Sequence, residues 1–104
     1  MTTFDDREKA FENKFAHDEE LQFRTLARRD KLLGLWAAGL MGKSAEDAAS
    51  YAKGVVAADI VEAGDEDVFR KIAGDLGARA DAVAIRTKMA ELLAEAKRQM
   101  MTEI

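Results

Sequence analysis

Large apolar side chains recur along this chain at helical spacings, separated by short polar stretches that carry glycine. Phe4, Phe11 and Phe15 are spaced by seven and four residues, which puts them on one face of a helix in an otherwise charged segment, "FDDREKAFENKF". Thr2 and Thr3 are able to cap that helix, with Asp5 and Asp6 close to the positive end of its dipole. At "AHDEEL" the pattern allows either a bend or a fresh start capped by Asp18. From Leu21 onward Leu26, Leu33 and Leu40 recur every seven residues and Leu32 and Trp36 lie four apart, with Ala37 on the same broad face. That helix is expected to reach Met41 and stop at Gly42, a span of about 34 Å for residues 19–41.

Three further helices follow by the same reasoning. Ser44 caps one whose inner face is Ala48, Ala52, Val55, Val56 and Ile60, with Gly64 as its stop. Asp65 caps the next, with Val68, Phe69, Ile72 and Leu76 inward and Gly77 at its end. The last begins near Asp81 and carries Val83, Ile85, Met89, Leu92, Leu93, Ala96 and Met100. Nothing alternates with period two. The expected fold is therefore all-α: a small antiparallel helical bundle of about four helices (19–104) preceded by an N-terminal amphipathic arm (1–18) that is free to be mobile.

Composition sharpens this picture. The chain has 104 residues, no proline and no cysteine, and about a fifth of it is alanine. It has room for one modest, alanine-rich core, and disulfide frameworks and thiolate chemistry are excluded. The acidic, polar start is unlike a signal peptide, and no apolar run approaches the roughly 18–20 residues of a membrane span. The expectation is a soluble, cytoplasmic protein. A net charge of −4 argues against bulk affinity for nucleic acid.

Candidate chemistry is sparse. "GLMGKS" ends like a phosphate-binding loop, but Ala37 stands where the first glycine is required and a leucine-rich helix replaces the buried strand. A glycine stop followed by a serine cap explains it. His17, the single histidine, has no evident set of co-ligands, so no metal site is expected. Asp5–Asp6 and Glu19–Glu20 are explained as helix-start acids, and no nucleophile–base set can be assembled. An enzyme is not expected.

Charge is unevenly spread. Residues 1–23 hold seven acids and three bases, whereas Arg24, Arg28, Arg29 and Lys31 follow against the single Asp30. The plain reading is a solvated helix face. The functional one is a docking surface for an acidic partner or for the arm, and a helical adaptor or nucleic-acid regulator using residues 24–31 is the alternative function. The three phenylalanines also have two readings. Burying each stabilises by roughly 1.5–3 kcal/mol, while ordering each arm residue costs about 1–2 kcal/mol. The arm either folds along the bundle or waits for a partner's groove.

The string "MTTFDDREKAFENKFAHDEELQFRTLARRDKLLGLWAA" and the block at residues 51–68, "YAKGVVAADIVEAGDEDV", resemble the zeta subunit of the alphaproteobacterial F-type ATP synthase, an ATPase inhibitor. The resemblance spans nearly the whole chain. It implies a helical bundle with an N-terminal inhibitory segment, roughly Thr2–Glu19, that inserts at a catalytic interface of the synthase head and reaches the rotor stalk. Phe4, Phe11 and Phe15 would be its apolar anchors, and Arg7, Glu8, Lys9, Glu12 and Lys14 would supply polar contacts. The implied partners are the head and the stalk, at the cytoplasmic face of the inner membrane, with no nucleic acid and no membrane insertion. The free protein would be a monomer. No cofactor is required, and adenine-nucleotide binding has no motif to support it. Gly39 and Gly54 depart from the family pattern, where glutamate is common, and each weakens a helix by about 1 kcal/mol relative to alanine.

Overall fold

A computed structural model of the chain describes residues 3–61 and 65–103, with the side chains of residues 3–5 and 59–61 set aside. Five α-helices follow one another: α1 (Thr3–His17), α2 (Glu19–Leu40), α3 (Ala45–Val61), α4 (Glu66–Leu76) and α5 (Ala82–Glu103), with one 3-10 turn, Gly77–Arg79, before the last. No strand occurs among the described residues. The fold is the all-α bundle expected from the periodicity.

Capping chemistry sets the joints. A single residue, Asp18, separates α1 from α2, and its carboxylate accepts the Leu21 N–H at 3.0 Å, so the chain breaks there and does not bend. At the other end of α2, Gly42 adopts φ +72°. The Lys43 N–H bonds the Ala38 carbonyl and the Gly42 N–H bonds the Gly39 carbonyl, a paired closure that only a left-handed residue allows without strain. Ser44 then caps α3 by accepting the Asp47 N–H at 3.2 Å. "GLMGKS" is thus a stop followed by a start. Asp81 opens α5 in the same way, accepting from the Ala84 N–H at 2.8 Å. Gly64, the expected stop of α3, lies outside the described residues, as do the side chains of Phe4, Asp5 and Ile60.

Asp65 is the exception. It occupies the N-cap position of α4, but its side chain makes no capping bond; the carboxylate is taken instead by Arg29 of α2 at 2.9 Å. A charge-assisted bond to a buried guanidinium is worth more than a neutral amide donor, so it prevails.

The main core gathers Leu33 and Ala37 of α2, Val55 of α3, Val68, Ile72 and Leu76 of α4, and Ile85 and Met89 of α5, with Trp36, Phe69 and Leu92 packed around it. A second, smaller cluster joins Phe11 of α1, Leu21 of α2 and Met100 of α5, flanked by Phe15 and Met101. Between the two, α2 buries Thr25, Arg29 and Asp30. α5 runs antiparallel to α2: the Arg28 guanidinium pairs with Glu103 at 2.7 Å, and the Lys88 ammonium sits 5.8 Å from the Trp36 ring centre.

Two expected core residues are outside. Leu40 is 44% exposed: it lies on the face of Leu33 and Trp36 but is the last residue of α2, where the packed core ends. Val83 is 74% exposed, since it precedes the buried Ile85 by two residues and points to the opposite side of α5.

Two glycines give predictions of opposite sign. A Cβ at Gly34 would lie 2.7 Å from the Ala52 backbone, so this glycine lets α2 and α3 approach. Gly34→Ala is expected to destabilise by about 1–3 kcal/mol through overpacking. Gly54 in α3 has nothing within 4 Å of that position, and Gly54→Ala should stabilise by about 0.5–1 kcal/mol. Thermal melts of the two variants, shifting in opposite directions, check both.

Candidate functional site: the N-terminal helix and its seat

The residues expected to act lie mostly on α1, and the structure seats this helix across one end of the bundle. Phe11 is 4% exposed and packs with Leu21 and Met100. Phe15, half-buried, stacks on Phe11 with ring centres 6.2 Å apart. Lys97 of α5 places its ammonium 4.4 Å from the Phe15 ring centre and pairs with Glu12 at 3.4 Å. At the far end of the seat the Arg7 guanidinium donates to the Met101 carbonyl at 3.1 Å, and near the joint the Gln22 amide donates to the Phe15 carbonyl at 2.6 Å. In this conformation Phe11 and Phe15 are part of the protein's own packing.

The seat is narrow. On one side of α1 a cleft of about 330 Å³ opens between Glu8 and Glu12 and the α5 residues Ala90, Leu93, Ala94 and Lys97. On the other, a cleft of about 290 Å³ lies among Arg7, Ala10, Phe11, Lys14 and Met101. Of the α1 side chains described, only Phe11 is fully buried, while Arg7, Glu8, Lys9, Glu12 and Lys14 are exposed. One buried phenylalanine supplies about 1.5–3 kcal/mol, and the surface pair adds at most about 1 kcal/mol. Ordering the helix opposes both.

The basic segment of α2 does not stay together as a surface. Arg24 and Lys31 are exposed, and Arg28 is half-buried against Glu103 and Gln99. Arg29 is 1% exposed, its Nε bonding Asp30 at 2.7 Å and its Nη2 bonding Asp65 at 2.9 Å. Burial works against the guanidinium charge, but the Asp65 hydrogen bond and the Asp30 carboxylate outweigh it, so its pKa is raised. Arg29 is a structural clamp between α2 and the start of α4, not part of an outward face. Helical periodicity could not reveal this, because Asp65 lies 36 residues away in sequence.

Periodicity did place Met100 on the inner face of the last helix, but it could not pair that residue with Phe11. Lys97 and Gln22, which hold α1 in place, carried no signal beyond being polar residues on a helix. His17 is exposed at the end of α1. Among the described residues no group of three or more His, Cys, Asp or Glu could hold a metal ion, and no helix is long and apolar enough to cross a membrane.

Comparison with known proteins accounts for such a bundle. A protein whose structure was determined by solution NMR is 49% identical and superposes with a TM-score of 0.74, covering 81% of this chain and 99% of that one. No curated protein sequence matches. The family model described as ATPase inhibitor subunit zeta matches residues 1–99, from the start of the aromatic arm almost to the end of α5. On that match, which covers nearly the whole molecule, the chain belongs to the ATPase inhibitor zeta subunit family.

Proposed function

We propose that this chain inhibits ATP hydrolysis by the F-type ATP synthase without catalysing any reaction itself, and that α1 is the inhibitory element. In this reading α1 leaves its seat and inserts as a helix at a catalytic interface of the synthase head, where it meets the rotor stalk and blocks hydrolytic rotation. Phe4, Phe11 and Phe15 are the apolar anchors, as in other helix-in-groove complexes. Arg7, Glu8, Lys9, Glu12 and Lys14 supply the polar rim. Residues 19–104 form the anchoring bundle, which keeps the helix near the head and raises its effective concentration. The protein works at the cytoplasmic face of the inner membrane through the synthase, needs no cofactor and is monomeric when free.

The observation that carries this reading is the separateness of the Phe11 cluster from the main core, in a chain of the zeta family. A brake needs no chemistry of its own. It must only stabilise one rotary state, and a preference near 5.5 kcal/mol moves a two-state equilibrium from about 1:99 to 99:1. The alternative, a nucleic-acid regulator using residues 24–31, loses support because Arg29 is buried and Arg28 is engaged with Glu103.

The absence of native cysteine allows a clean positional test. Ala10, exposed on α1, is replaced by cysteine and given a short photo-reactive label. With the intact synthase the adducts should contain a catalytic-head subunit and the rotor stalk. Adducts confined to other subunits would contradict insertion at that interface.

A further inference from the structure

We infer that the seat of α1 on α5 is an autoinhibitory contact: the face formed by Leu21, Met100, Met101 and Lys97 competes with the partner for the same phenylalanines, so the free protein is held in a resting state. This rests on the reading of α1 as the inhibitory helix.

The argument is one of shared surface. Phe11 is 4% exposed in its seat and therefore cannot contact a partner's groove at the same time. Glu12, proposed for the polar rim, is paired with Lys97, and the aromatic face of Phe15 is covered by that same ammonium. Arg7 is engaged by the Met101 carbonyl. Four residues proposed to meet the partner are thus engaged by Leu21 and by Lys97, Met100 and Met101, little more than one turn of α5.

The joint and the clefts make the contact reversible. Asp18 is the single non-helical residue between α1 and α2, and its carboxylate caps α2 independently of where α1 lies. Rotation there frees α1 without unwinding α2, at the loss of the Gln22 bond to the Phe15 carbonyl. Open clefts on both sides of α1 leave it in contact along a narrow strip. The main core shares no residue with the small cluster, so release leaves the rest of the bundle standing.

A resting state of this kind reduces apparent affinity by the fraction of molecules that are open. Weakening the seat from the bundle side should therefore make the inhibitor stronger. Met100→Ala removes the contact under Phe11. Lys97→Glu reverses the partner of Glu12 and leaves the core alone. Each full-length variant is added to the cognate synthase head, and the concentration giving half-inhibition of ATP hydrolysis is compared with that of the unaltered protein. Hydrogen exchange of the α1 amides is measured in parallel.

The expected result is a fall in that concentration of about fivefold or more, with faster exchange in α1 and unchanged exchange in α3 and α4. Inhibition by the variants alone, with none by the unaltered chain, supports the proposal still more strongly. Equal potency despite faster α1 exchange overturns the autoinhibitory role and leaves the inhibitory reading intact. Weaker inhibition overturns it by making the α5 face part of the partner's binding surface. Unchanged exchange in both variants shows that Met100 and Lys97 do not hold the arm, and also overturns it. No inhibition by any of the three proteins removes the inhibitory reading and this proposal with it.

Discussion

Arg29→Ala is expected to lower the stability of the bundle by about 3–5 kcal/mol, the usual cost of removing one partner from a buried ion pair. Arg29 and Asp30 are 1% and 0% exposed, so the substitution leaves the Asp30 carboxylate in the interior without the guanidinium that bonds it at 2.7 Å. It also frees the start of α4, which Arg29 ties to α2 through Asp65. Asp65→Asn should cost far less, about 0–1 kcal/mol, because the Asp65 side chain is 52% exposed and solvent screens its pairing. Denaturant unfolding separates the two: the midpoint should drop strongly for Arg29→Ala and little for Asp65→Asn, with the slope preserved. A loss below about 1 kcal/mol for Arg29→Ala would show that the pair is not the clamp described.

The second large effect concerns inhibition. Replacing both Phe11 and Phe15 by serine should raise the concentration needed for half-inhibition by about tenfold or more, since losing the Phe11 seat on Leu21 and Met100 offsets part of what is lost in the partner's groove. Each buried phenylalanine contributes roughly 1.5–3 kcal/mol, and every 1.4 kcal/mol is a factor of ten in affinity. The same variant should leave the melting of the α2–α5 core in place, since neither residue belongs to the main cluster. Retained inhibition by the double variant would move the activity away from α1. A collapse of the whole bundle would mean that the small cluster is integral to folding, contrary to the division drawn between them.

Sequence periodicity and capping rules were sufficient for the architecture, because those signals are local. Gly42, Ser44, Gly77 and Asp81 each do what their residue type does best within a few residues of themselves. What could not be read depends on neighbours distant in sequence. Arg29 looked like one of four surface bases, and its burial, balanced by Asp30 and by Asp65 36 residues further on, leaves no local signal. Gly34 matters because α3 packs against it through Ala52, a contact that nothing near it in sequence announces. Leu40 and Val83 misled because an apolar side chain can sit at the end of a helix or on its outer side, and residue type alone does not say which.

The arm is the instructive case. Its amphipathic face was plain from Phe4, Phe11 and Phe15, but amphipathicity does not say whose surface it matches. The structure seats Phe11 on Leu21 and Met100, while membership of the zeta family points toward a partner. Both follow when one apolar face serves two sites in turn, and the small size of the seat is what makes exchange between them feasible.

The central claim is that α1 carries the inhibition, and hydrolysis by the cognate head tests it most directly. ATP turnover is measured with the full chain and with a chain lacking residues 1–18, whose main core is complete without them. Inhibition by the full chain alone is the predicted result. Equal inhibition by both would contradict the account and assign the activity to the surface of the bundle.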